Sequence, residues 1–329
     1  MQYRSAARAL SRIFGILGGW QTQTNVMDHV QRLFYGQHFR IAFLENKGAA
    51  FESMFSKIMS HAYPNDFEPV RPYGKYGDLK CDGYRASDGT VFQCYGPSTP
   101  TLKELLAKIR RDFDGAFGHW GSRMKRWSLV HNNDDGLPAR ATRLLIDLRT
   151  EHPTLDIGQM SYSELFEIVM GLTVLKLEDL FGSVPTQRTL ADLDYEALRP
   201  VIKAIQRTDP GVDPPLAAPS PEKISANDLS GDVRGFLHQG RRREPLVEDF
   251  FDRYPDPGFG EEIAQGFRDR YAALKRDGQS ADAIFVELQS FAGGLTGAPQ
   301  RQAAVLAVLS YFFERCDIFE DHPDGGVPA

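Results

Sequence analysis

Pro210, Pro214, Pro215, Pro219 and Pro221 fall within one short stretch, and the chain changes character across it. Proline fixes φ and cannot donate a backbone hydrogen bond, so this stretch is neither helix interior nor central strand. With its Gly and Ala residues it reads as a semi-rigid linker. Before it, short β-branched and aromatic runs alternate with helical periodicity. After it, apolar residues recur only at helical spacing. The 329 residues suffice for about two domains at roughly 150 residues each. The expected layout is a helical extension over 1–45, an α/β domain with trailing helices over 46–207, the linker over 208–222 and an all-helical domain over 223–329.

Within the first part, a helix over 48–61 has Phe51, Phe55, Ile58 and Met59 as its buried stripe, and Pro64-Asn65-Asp66 stops it. Extended runs follow at 67–71 and 80–86, then the turn Ser87-Asp88-Gly89, then a strand over 90–95 closed by Gly96-Pro97. Thr101 and Glu104 form a capping box for a helix over 102–117. A strand over 127–131, a helix over 139–151 and a strand over 155–160 complete an α/β order with a hairpin in front and crossovers behind. Beyond the linker, 303–313 is apolar all round and predicts a helix at the centre of a bundle. Ile318 and Phe319 either close that bundle or stay exposed and favour association with a partner or a second copy.

The formal net charge of -6 excludes a globally basic nucleic-acid coat. A local patch is available in Lys103, Lys108, Arg110 and Arg111, which either grips phosphates or is a solvated helix face. Three cysteines, Cys81, Cys94 and Cys316, lack Cys-x-x-Cys spacing, which argues against zinc and predicts a reducing, cytoplasmic setting. Apolar runs fall short of the ~20 residues of a membrane span, so no membrane association is expected. Without a Gly-x-x-x-x-Gly-Lys-Ser/Thr segment the chain is not expected to bind ATP. His119, His131 and His152 show no metal spacing.

The stretch from Gly48 to Tyr95 carries the chemistry. Glu52 opens a helix, Asp78, Lys80 and Asp82 enter one strand, and Gln93 and Tyr95 lie on the next. Alternation puts Lys80, Asp82 and Tyr84 on one strand face and Val91, Gln93 and Tyr95 on one face of its neighbour. Paired as a hairpin, Asp82 and Gln93 converge, with Glu52 reaching in from the helix. Such hard oxygen donors suit Mg²⁺ or Mn²⁺, which keeps several waters and binds through one or two carboxylates plus substrate phosphate. A buried amide such as Gln93 needs partners, which favours a polar site there over core packing. Asp78 fits turn chemistry better than ligation, and stands as the further candidate in the metal set. Tyr95 is balanced between core aromatic and site residue, and Cys94, on the opposite face, belongs to the core.

In this order the residues resemble the Mrr-like branch of the PD-(D/E)xK restriction-endonuclease superfamily. The resemblance implies a restriction-endonuclease-like α/β domain, a mixed sheet flanked by helices, with Glu52, Asp82 and Gln93 around the metal. The family's lysine, two residues after the glutamine, is replaced by Tyr95, which is neutral at pH 7 because its pKa is near ~10. Lys80 is the expected substitute. A looser alignment pairs Pro64-Asn65-Asp66 with Asp78-Leu79-Lys80 but leaves Glu52 and Gln93 without roles. Further motifs, Arg71-Pro-Tyr-Gly74, Phe92-Gln-Cys-Tyr-Gly-Pro97, Ala116-Phe-Gly-His-Trp120, Trp127-Ser-Leu-Val-His-Asn132 and the segment from Leu309 to Glu320, are similar to proteins of bacterial ABC-three-component defence systems. Those pair an SMC-like ATPase with a small middle component and an effector. Two functions follow from the resemblance. One is a metal-dependent DNA endonuclease effector, and the other is a catalytically inactive nuclease-fold adaptor that docks to the ATPase.

Overall fold

The computed structural model describes residues 27–71, 78–99, 101–206, 227–315 and 318–319. The expected linker at 208–222 lies outside them, as do Cys316 and residues 1–26. A five-stranded mixed sheet holds β1 (Phe67–Pro69), β2 (Gly83–Arg85), β3 (Thr90–Tyr95), β4 (Arg126–His131) and β5 (Asp156–Met160) in sequential order. The first three strands are antiparallel, and β3, β4 and β5 run parallel. Arg85 and Asp88 pin the β2–β3 turn by a salt bridge, and Asp88 also accepts from the Thr90 hydroxyl at 2.7 Å.

Three helices precede or cross the sheet: α1 (His29–Glu45), α2 (Ala49–Ala62) and α3 (Leu102–Trp120), with α4 (Ala139–Glu151) between β4 and β5. Alternation divides the strands between two apolar layers. Phe92, Cys94 and Val130 pack on the side of Phe51 and Phe55 of α2. Val91, Trp127, Leu129 and Ile157 pack on the side of Ile109 and Phe113 of α3 and Leu145 and Leu148 of α4. The α2 layer leads into a continuous core shared with helices α5 (Tyr162–Met170) and α6 (Val174–Phe181).

The second strand is shorter than its sequence suggests. Residues 78–80 form a turn, with Leu79 and Lys80 in the left-handed region at φ 53° and 59°. Three contacts hold it there. The Asp78 carboxylate accepts the Lys80 N–H at 2.9 Å, the Trp120 indole donates to the Leu79 carbonyl at 3.2 Å, and the Lys80 ammonium lies 3.4 Å from Asp112. Lys80 therefore does not share a strand face with Asp82 and Tyr84, and the alternation argument fails at that residue.

Among the described residues the C-terminal part is built of helices. It comprises α7 (Gln187–Ala191), α8 (Tyr195–Gln206), α9 (Gly231–Arg241), α10 (Glu244–Asp252), α11 (Phe259–Arg276), α12 (Ala281–Phe291) and α13 (Pro299–Glu314). Residues 302–313 of α13 are all buried, as an all-round apolar helix requires. Ile318 and Phe319 are buried too, the latter against Tyr271 and Phe313, so they close the bundle and expose no apolar patch. Helix α1 packs on α9, with the Phe34 and Phe236 rings edge-to-face at 4.9 Å. Cutting the chain at the linker would thus expose part of a shared core.

Burial raises the Glu244 carboxyl from 4.5 to about 7, reinforced by Glu314 and opposed by Arg241. A group whose pKa is raised on folding stabilises the fold below its unfolded value, and that contribution is lost as pH rises through the folded one. Glu244→Gln should therefore flatten the fall in melting temperature between about pH 5 and pH 7.5, leaving values below about pH 4.5 unchanged. A thermal denaturation series against pH checks this.

Candidate functional site

Asp82 sits one step before β2, where the ladder is still closed by its N–H donating to the Phe92 carbonyl at 2.8 Å. Continuing the β2–β3 register sets it opposite Gln93. Its Oδ2 accepts two hydrogen bonds, from the Cys94 N–H at 2.6 Å and from the Gln93 Nε2 at 2.7 Å. Gln93 is 3% exposed, and its Oε1 is buried with no hydrogen-bond partner among the described residues. A buried carbonyl oxygen left bare beside a carboxylate costs roughly 1–3 kcal/mol unless something binds it.

Glu52 lies on the exposed first turn of α2, brought alongside the end of β3 by the Gly48 N–H donating to the Gly96 carbonyl. Gly96 permits that approach, because a Cβ there would stand 2.8 Å from the Phe51 ring. Burial raises the Asp82 carboxyl from 3.8 to about 7. The Cys94 N–H and the charge of Lys108 oppose this, while Glu52 and Asp78 add to it. Glu52, Asp82, Gln93 and Asp78 thus fall in one neighbourhood. Among the described residues no three His, Cys, Asp or Glu side chains converge closely enough to cage a metal. The donor set suits an ion that takes few protein oxygens, such as Mg²⁺, with Asp82 and the bare Gln93 Oε1 as its protein ligands.

The expected basic cluster divides in two. Lys108 donates to Asp112 at 2.5 Å, and Arg111 lies 3.4 Å from the same carboxylate, so with Lys80 three cations meet one acid that is 1% exposed. Arg110 instead pairs with Glu151 at 2.7 Å and Asp114 at 3.5 Å, and Lys103 is exposed. Asp112 is the residue that sequence reasoning missed. Its signal was present: an acid in the apolar stripe Leu105, Ile109, Phe113, Ala116, four residues after Lys108. Tyr95 has a buried hydroxyl with no partner among the described residues.

Residues 196–320 match the family model of C-terminal domain 10 of the ABC-three component (ABC-3C) systems. The chain carries a domain of ABC-three-component defence systems. The match runs from α8 through α13, the bundle built on the buried α13. No curated protein and no solved structure matches the chain. Among the described residues no helix is long and apolar enough to cross a membrane.

Proposed function

We propose that the α/β part is a restriction-endonuclease-like, Mg²⁺- or Mn²⁺-dependent DNA nuclease, the effector of an ABC-three-component defence system whose ATPase engages the helical domain. The observation that carries this reading is the Asp82–Gln93 pair with its bare, buried Oε1 and a lysine charge beside it. A divalent ion bound there would polarise the phosphodiester and supply an activated water. The chain's own contribution is positional. Cys94 N–H and Gln93 Nε2 fix Asp82 Oδ2, so the carboxylate presents its other oxygen. Asp112 holds Lys108 where its charge acts on Asp82, so the chain supplies there an ammonium that it lacks at Tyr95.

One feature favours the adaptor alternative: two protein donors already hold Asp82 Oδ2, which leaves one carboxylate oxygen for a metal. Incubating plasmid and single-stranded DNA with the full chain plus Mg²⁺ or Mn²⁺, with Asp82→Ala as control, separates the two. Absence of cleavage under every condition, including with partner components added, supports the adaptor. If cleavage occurs, Lys108→Ala should lower its rate by roughly 10²–10³, the usual cost of removing one group that stabilises transition-state charge. Lys80→Ala and Tyr95→Phe should each cost far less. Equal losses from Lys80 and Lys108 would mean that both cations serve the phosphate.

A further inference from the structure

The parallel half of the sheet ends in a cavity of about 390 Å³, framed by the last residues of β3 and β4 and the starts of α3 and α4. Leu102, Leu105 and Leu137 give it apolar walls. Tyr95 and His131, register partners on adjacent parallel strands, line it from the sheet. Their backbones are therefore about 4.8 Å apart, and both side chains leave the same face. The Tyr95 hydroxyl and His131 Nε2 are both buried without a partner in good hydrogen-bond geometry among the described residues, and the Gln159 side chain is the group that interacts with the imidazole. His131 itself is 1% exposed.

The chemistry of the two groups is readable. His131 Nδ1 accepts from the Asn133 N–H at 3.3 Å, so in the neutral ring the proton sits on Nε2 and makes it a donor. Burial lowers the imidazole below 6.5, against smaller opposing pulls from the Gln159 side chain and Glu164, and a phenol with its ordinary pKa near ~10 carries no charge at pH 7. Both groups are therefore uncharged at neutral pH. Lys47 is a cation in the lining, and the one acid there, Asp134, is 3.5 Å from Arg40. Two neutral hydrogen-bonding groups set side by side under leucine walls suit a flat heteroaromatic ring with polar edge atoms. They do not suit a polyanion. Tyr95 is two residues beyond Gln93 on the same strand face, about 6.6 Å along the strand, so the cavity opens one pleat from the candidate metal site.

We propose that this cavity takes one nucleobase of the strand whose backbone lies at Asp82 and Gln93, with the ring between the leucines and its edge on Tyr95 and His131. The inference rests on the nuclease reading. It adds that the substrate is single-stranded, or a duplex with one base turned out of the stack. Free nucleotide offers the same ring, and the test separates the two sources.

Binding is measured on the full chain in EDTA, by competition against a labelled 12-nucleotide strand. The competitors are the unlabelled strand, a sugar-phosphate strand of equal length without bases, and a free mononucleotide. The intact strand is expected to bind about tenfold or more tightly than the abasic one, within the range of a single base contact. Leu137→Trp, which fills the cavity, should erase that difference, and Tyr95→Phe should reduce it. Tyr95→Phe, which changes no packing volume, keeps the test valid if Leu137→Trp misfolds. Equal binding of intact and abasic strands overturns the proposal, as does no binding of strand or mononucleotide. A mononucleotide that matches the strand and is lost in Leu137→Trp keeps the cavity as a base site but overturns its place on a substrate strand. Plasmid cleavage by the same preparation judges the nuclease reading separately. Cleavage without base-dependent binding defeats the cavity assignment alone, and base-dependent binding without cleavage in any metal defeats the nuclease alone.

Discussion

Asp82→Asn should abolish metal-dependent cleavage and, in EDTA at pH 8, melt at a higher temperature than the unaltered chain. Both effects come from the same burial. Raising this carboxyl from 3.8 to about 7 means that the fold is penalised for keeping it charged, by about 4 kcal/mol at most. The sign follows from proton linkage. Between about pH 4 and pH 7 the folded chain holds a proton that the unfolded chain has released, so stability falls as pH rises through that window. Asparagine keeps one oxygen for the Cys94 N–H and the Gln93 amide but carries no charge, which removes the penalty. The two forms should therefore melt alike below about pH 4 and diverge by pH 8. Adding Mg²⁺ or Mn²⁺ should raise the melting temperature of the unaltered chain and leave Asp82→Asn unmoved, since binding to the folded state alone stabilises it. A variant that melts lower at pH 8 would mean that Asp82 is held charged for the fold's sake and not for a ligand.

The same residues show what sequence could reveal. Thr90–Tyr95 was legible because its β-branched and aromatic run follows an Asp-Gly turn, and local chemistry alone sets those bounds. Asp82 facing Gln93 was legible because a hairpin's register follows from its turn. Lys80 was not, since its left-handed turn depends on Trp120 and Asp112, which are distant in sequence. Asp112 could have been found, being an acid in an apolar stripe, but charge counting on that helix concealed it. The cavity at Tyr95 and His131 had no sequence signal. The parallel β3–β4 register that joins them is set by packing across a whole crossover helix.

Gly240→Ala should cost about 2 kcal/mol or more of stability, although alanine in place of glycine inside a helix ordinarily gains about 1 kcal/mol. Helices α9 and α13 cross at this glycine. A Cβ there would stand 2.0 Å from the Ser310 hydroxyl and 2.7 Å from the Leu306 carbonyl oxygen. The hydroxyl can rotate away, but the carbonyl belongs to the backbone of a helix buried along its length, so the crossing itself must open. Ser310→Ala removes the nearer atom and a buried hydroxyl without a hydrogen-bond partner among the described residues, so alone it should be neutral or slightly stabilising. In the double variant it should recover only part of the loss, because the carbonyl remains. Urea denaturation of the four chains gives the coupling directly. Since this crossing lies within the matched C-terminal domain, the variants also bear on partner docking. If the bundle holds the partner components, Gly240→Ala should lose them in co-purification under conditions where the α/β part stays folded. Retention of every partner by that chain would assign the docking surface to the α/β part.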